Sequence, residues 1–177
     1  FTDYGQYLDS LEMTATIRSF EPLYIQRIAQ LTNKSNQFNL TTLRCSEDDI
    51  RAMAADADAL CLCGKLVDKF GDNGIVTVVA GKRQGDLLDL TLWLMSCRVL
   101  KRGMEDAMMD TLMAQAAAAG VKTVVGHYYP TAKNAMVRDF YAQFGFAKTA
   151  EDAEGNTEWR LEVSGYEPKH PHMKIER

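Results

Sequence analysis

The stretch Leu87–Phe146, LLDLTLWLMSCRVLKRGMEDAMMDTLMAQAAAAGVKTVVGHYYPTAKNAMVRDFYAQFGF, decides the fold. It opens with a strand-like apolar run, Leu87 to Val99, that ends in the basic turn LKRG. Directly behind Gly103 the residues MEDAMMDTLMAQAAAA read as a helix, closed by Gly120 where helices commonly stop. A second apolar strand follows over Val121–Tyr129. Pro130 and Thr131 then introduce a predicted helix, AKNAMVRDFYAQF, ended by Gly145. A glycine turn feeding a helix N-terminus presents exposed N–H groups and the positive end of the helix dipole, a setting that suits a phosphate.

The flanks complete one domain. Met13, Ala15 and Ile17 alternate with Thr14, Thr16 and Arg18 as an early strand. Leu23, Ile25, Ile28 and Leu31 recur at helical spacing behind Pro22. The polar segment Asn33–Arg44 packs amides, hydroxyls and two cations around Phe38, which fits either a solvated loop or a pocket for a polar ligand. Ser46 followed by Glu47, Asp48 and Asp49 starts a helix. ALCLCGKLVDKFGDNGIVTVVAGKR reads as a hairpin turning at DKFGDNG, and Thr157–Val163 is a closing strand. The count β-α-α-β-β-β-α-β-α-β-β predicts a single α/β (α+β) domain, a mixed, mostly antiparallel sheet flanked by helices. Its expected limits are 11–165. Residues 1–10 read as a linker or the end of a preceding domain, and the polar, proline-containing 166–177 as a poorly fixed tail.

Length and charge narrow the function classes. A chain of 177 residues holds one complete core. Its net charge of −4 argues against a nucleic-acid binder, which would carry a basic face. No apolar run approaches the roughly 20 residues that span a membrane. Cys61 and Cys63 share one face of a strand, too constrained to bond each other easily, and no second cysteine pair stands at zinc-binding spacing. A reduced, cytoplasmic protein without a metal is the expectation.

The element order resembles the GNAT acyltransferase fold. Asn134, Ala135, Phe140-Tyr141 and Gly145-Phe146 resemble that family's N-x-x-A…(F)Y-x-x-x-GF pattern. More specifically, KSNQFNLTT, DKFGDNG, LMSCRVLKRGME and PTAKN…FY…GF resemble the C-terminal part of FkbH-like proteins. In those, a haloacid-dehalogenase-like domain precedes a GNAT-like one, and a glyceryl unit is loaded onto an acyl carrier protein for polyketide biosynthesis. The resemblance implies a partner, an acyl carrier protein, and a cofactor, CoA or a carrier-borne phosphopantetheine thioester. It also implies a covalently attached haloacid-dehalogenase-like domain. That domain's Asp-x-Asp signature is absent here, so neither phosphatase chemistry nor a Mg²⁺ site is expected.

Carried over residue by residue, the resemblance places Val99, Lys101, Arg102, Gly103 and Met104 at the phosphate turn, with Asn134 on the pantetheine amides. In the family's R/Q-x-x-G-x-G/A turn, Leu100 and Glu105 stand at the slots flanking Gly103, and the Glu105 carboxylate would repel a pyrophosphate. A carrier's single phosphodiester is the better match. Tyr141 is expected to protonate a departing thiolate, or else to pack in the core beside Phe140. Cys97, next to Arg98 and the basic turn, is a candidate acyl acceptor, because cations favour the thiolate, or else an inert buried thiol. His127 is a candidate base on the neighbouring strand. Lys34, Asn36, Gln37, Asn39 and Arg44 are candidates to hold the acyl group. The alternative to an enzyme is a binding module that only docks a carrier protein.

Overall fold

The computed structural model describes residues 3–177. Helix α1 (Tyr4–Ser10) precedes β1 (Thr14–Arg18), and α2 (Ile25–Lys34) and α3 (Glu47–Ala55) follow. Then come β2 (Ala59–Asp68), β3 (Gly71–Gln84) and β4 (Leu87–Met95). The chain continues through α4 (Met104–Ala118), β5 (Thr123–Tyr128), β6 (Ala147–Glu151), β7 (Thr157–Glu162) and β8 (Lys174–Glu176). One eight-stranded sheet runs in the order β6-β7-β5-β4-β3-β2-β1-β8. Every pairing is antiparallel except β4–β5 and β1–β8, so the expected mixed sheet is present. Among the described residues, no helix is long and apolar enough to cross a membrane.

Two apolar layers sandwich the sheet. On one face Met104, Met108 and Leu112 of α4 pack with Leu62, Leu66 and Trp93. On the other, Ile25, Ile28 and Leu31 of α2 and Ile50 of α3 cover Cys63, Val78, Leu92 and Leu94. A reciprocal capping box between Ser46 and Asp49 starts α3 as its sequence implies.

A bulge sets the path of β4. Ala80 pairs with Leu92 but Gly81 pairs with Leu90, which leaves Thr91 as the extra residue. That insertion shifts the alternation by one. Leu88 and Leu90 before it, and Trp93 and Met95 after it, all face the α4 core. β4 pairs with β5 over only Leu87–Asp89, and beyond that point the two central strands part.

Four expectations need correction. The apolar run from Leu87 stops being a strand at Met95, and Cys97–Val99 forms a 3₁₀ turn. The helix expected after Pro130 is two 3₁₀ turns, Ala135–Val137 and Tyr141–Phe144. Its bonds are short-range, as in Arg138 N–H to Ala135 O and Gln143 N–H to Phe140 O, while Val137, Phe140, Tyr141 and Phe144 all turn inward. The leading segment is no mere tether, since α1 inserts Leu8 into the main core; Phe1 and Thr2 lie outside the described residues. Nor is the tail loose. Asp110 accepts from Tyr166 Oη at 2.5 Å, Lys169 N at 2.8 Å and His170 N at 3.0 Å, and β8 pairs with β1.

Candidate functional site

The parting of β4 and β5 makes a gap in the sheet, and the chain fills it itself. Met95 N–H donates to Phe38 O, and Leu40 N–H to Trp93 O, each at 3.0 Å, so Phe38–Leu40 lies along the freed edge of β4. On the far side Tyr129 N–H donates to Leu40 O at 2.9 Å. Asn134 fastens the insert, its Nδ2 donating to Asn39 O and Tyr129 O, both at 2.9 Å. Its Oδ1 accepts from Thr131 N at 2.8 Å and from the Tyr128 hydroxyl at 3.2 Å. Asn134 is fully buried and committed to its own chain, not presented to a pantetheine arm. Asn39 is likewise buried, donating to Ser35 O and accepting from Thr42 N–H.

Beneath the insert lies an aromatic cluster. The Tyr141 ring stands edge-on to Trp93 and Phe140 and leans on Phe146. It presses so closely on Gly126 that a Cβ there would come within 2.4 Å of the ring. Tyr141 is 1% exposed, and burial holds its phenol far above the usual range, with Asp89 adding to the shift. A sealed phenol of raised pKa is a poor acid for a thiolate. The core alternative is therefore the one realised.

The basic turn is also occupied. Arg102 Nη1 donates to Asp68 Oδ2 at 3.0 Å, and the Lys101 carbonyl accepts from the Tyr4 hydroxyl. Although burial opposes it, the Asp68 carboxyl is held low by the Phe70 N–H and by Arg102. Gly103 starts α4 with φ +92°, and Lys101 also has positive φ, +63°. Over this turn lies the tail: a Cβ on Gly103 would meet Pro171 Cβ at 3.1 Å. Val99 and Met104 are core residues. Burial raises the Glu105 carboxyl although its own backbone N–H lowers it, and Oε2 is buried without a partner. The Glu105 side chain thus lies buried in the first turn of α4.

His127 serves a different place. Its Nε2 sits 2.5 Å from Asp89 Oδ1, and it lines a small recess with Tyr129 and Glu158 that excludes Cys97.

The open site begins where β4 ends. A cavity of about 680 Å³ lies between one face of α2, from Arg27 to Lys34, the amide-rich loop and the turn after Met95. It is lined by Lys34, Asn36, Gln37 and Cys97, four of the residues singled out by sequence. The Cys97 thiol is exposed and donates to Gln37 Oε1 at 3.4 Å. The other cysteines differ: burial pushes the Cys61 and Cys63 thiols up to about 11 and about 12, aided by Asp56 and Glu21 respectively. Arg44 does not line the cavity; it shapes the loop by donating to Thr32 O, Ser35 O and Asn36 Oδ1. Arg98, the cation read beside Cys97, also lines the cavity; sequence reasoning missed two further lining cations, Arg27 and Lys133, from different segments.

No protein-family model and no curated protein sequence matches the chain. Solved structures do match in shape. The ribosomal-protein-S18-alanine N-acetyltransferase of Escherichia coli is 15% identical, with 84% of this chain and 94% of that one covered, at TM-score 0.63. The GNAT domain of S. lividans PAT is 16% identical over 82% and 89% of the two chains, also at 0.63. Spermidine N-acetyltransferase from Vibrio cholerae, solved with CoA and spermine, is 11% identical over 85% and 96%, again at 0.63. The chain has the GNAT acetyltransferase fold.

Proposed function

We propose that the domain is an acyltransferase that works on a pantetheine thioester, with Cys97 as the acyl-accepting thiol. The observation that carries this reading is the exposed Cys97 thiol on the rim of a cationic cavity, just past the point where the central strands have parted. The fold, shared with proteins that act on or were solved with acyl carriers such as CoA, supports it. In the proposed step the Cys97 sulfur attacks the thioester carbonyl carbon as its proton leaves. The carbonyl bond to the pantetheine sulfur breaks, and the departing pantetheine thiolate takes up a proton. A second exchange onto an acceptor thiol would release the acyl group. Gln37, within hydrogen-bond reach of the sulfur, would position it.

The FkbH-like resemblance supplies the finer terms: a glyceryl-type acyl group, an acyl carrier protein as thioester partner, and a haloacid-dehalogenase-like domain ahead of this one. Glu105 and the covering tail make the basic turn a poor seat for a free CoA pyrophosphate, which favours a carrier's single phosphodiester. A second reading, a non-catalytic carrier-docking module, is favoured by the self-filled gap and the sealed Tyr141. Incubation with acyl-CoA and with acylated holo carrier protein, followed by intact and peptide mass spectrometry, separates the two. Transfer predicts an acyl mass on Cys97 that is absent from Cys97→Ala. Docking predicts carrier binding in both proteins with no acyl mass in either.

A further inference from the structure

The cavity beside Cys97 holds positive charge that no acidic side chain among the described residues pairs with. Arg27 and Lys34 project from α2, Arg98 from the turn after β4, and Lys133 from the loop after β5, and no acidic side chain lines the same space. Among the described residues none of the four is in an ion pair. Their neighbours are neutral: Arg27 donates to Gln30 Oε1 at 2.8 Å, and Arg98 to Ser96 Oγ and Asn73 O, each at 3.3 Å. Burial, and after it the positive charge of Arg98, hold the Arg27 guanidinium below its usual range. The chain as a whole carries four more acids than bases, 24 against 20, so supply of carboxylates does not explain the vacancy. Like charges gathered in a concave site repel one another, and a bound anion relieves that repulsion while its field draws the anion in.

We infer that this cavity is the receptor for a small dianion, a phosphate monoester or a dicarboxylate, seated next to Cys97. Four cations are more than a monoanion needs, and the planar forks of Arg27 and Arg98 suit two-oxygen recognition of either group. Asn36 gives its oxygen to Arg44, which leaves its amide hydrogens as donors on the same wall. Gln37 both lines the cavity and bonds the Cys97 sulfur, so ligand and thiol share one wall. Resting on the acyl-transfer reading, the dianion is the distal group of the acyl chain, a phosphoryl group or a branched dicarboxylate; acyl chains ending in two negative charges are then the preferred class over acetyl.

The test is the alkylation rate of Cys97 by iodoacetamide, a neutral probe, at fixed ionic strength. Inorganic phosphate and succinate should each slow it about tenfold when saturating, while acetate and chloride change it less than about twofold. Phosphate protecting far better than succinate would assign a phosphoryl group; the reverse order would assign a dicarboxylate chain. The Arg27→Gln/Arg98→Gln double variant should melt as the wild type does and lose the protection. Dianions that protect no better than chloride, or equal protection of the double variant, would overturn the proposal. Protection without any acylation of Cys97 by succinyl or acetyl thioesters would keep the anion receptor and remove the transfer step alone.

Discussion

Two basic regions of the molecule, the turn Lys101–Gly103 and the cavity to which the nearby Arg98 belongs, have opposite characters. The turn Lys101–Gly103 is the one its sequence advertises, yet Arg102 is paired with Asp68, the Glu105 carboxyl is buried in the first turn of α4 and Pro171 covers the glycine. The cavity past Met95 is advertised by nothing contiguous, and its four cations have no carboxylate partner among the described residues. The contrast teaches that positive residues become a binding site when they are left unneutralised, not when they are adjacent in sequence. A neutralised cation supports the fold; an unpaired one in a concavity waits for a ligand.

The comparison breaks most severely at the staple between the regions. Asn134→Ala strands Asn39 O in a buried setting, and Tyr129 O and Thr131 N–H in part-buried ones. A loss of about 3 kcal/mol is expected, since unsatisfied buried groups cost about 1–3 kcal/mol each and partial relaxation offsets some of this. Thermal melting would measure it, and the Leu40 amide should show the largest gain in hydrogen exchange. A smaller effect separates the two basic regions directly. Arg102→Gln should lower stability by about 1–2 kcal/mol, because Asp68 stays buried without its charged partner, and should leave phosphate protection of Cys97 unchanged. Arg98→Gln should do the opposite, with an unchanged melt and weakened protection.

The smallest effect tests whether the turn is closed by its own carboxylate. Burial raises the Glu105 carboxyl, so the folded protein holds that proton more tightly than the unfolded chain does. Stability from this group is therefore greatest below the ordinary glutamate range and falls as pH rises through the raised value. Glu105→Gln should match the wild type in acid and exceed it at pH 7 by about 1 kcal/mol, roughly 3 °C in melting temperature for a chain of this size. Some slope should remain in the variant, because burial also raises the neighbouring Asp106. Equal melting temperatures at both pH values would show that Glu105 is solvated.

How far the sequence could be read depended on how local each signal was. The strand–turn–helix–strand order from Leu87 was legible because each element carries its own period and stop signal. The bulge at Thr91 was not, because LLDLTLWLM is apolar on both faces and hides the one-residue shift. β8 escaped because three residues carry too little pattern, and it forms only where β1 offers an edge. Asn39 and Asn134 misled for a physical reason: an amide that can donate and accept serves a buried backbone as readily as a ligand. Lys34, Gln37 and Cys97 were found by composition and position, whereas Arg27 and Lys133 join them only through the tertiary fold.

On the proposed reading, thioester chemistry takes place in the cavity beyond Met95 and not in the gap between β4 and β5. The deciding measurement is a crystal structure of the domain with a non-hydrolysable pantetheine thioether carrying a phosphate-ended arm. The expected density has the arm's phosphate among Arg27, Lys34 and Arg98, the thioether sulfur beside Cys97, and Phe38–Leu40 still bonded to Trp93 and Met95. Pantetheine lying along β4 with Phe38–Leu40 displaced, and Cys97 untouched, would contradict it.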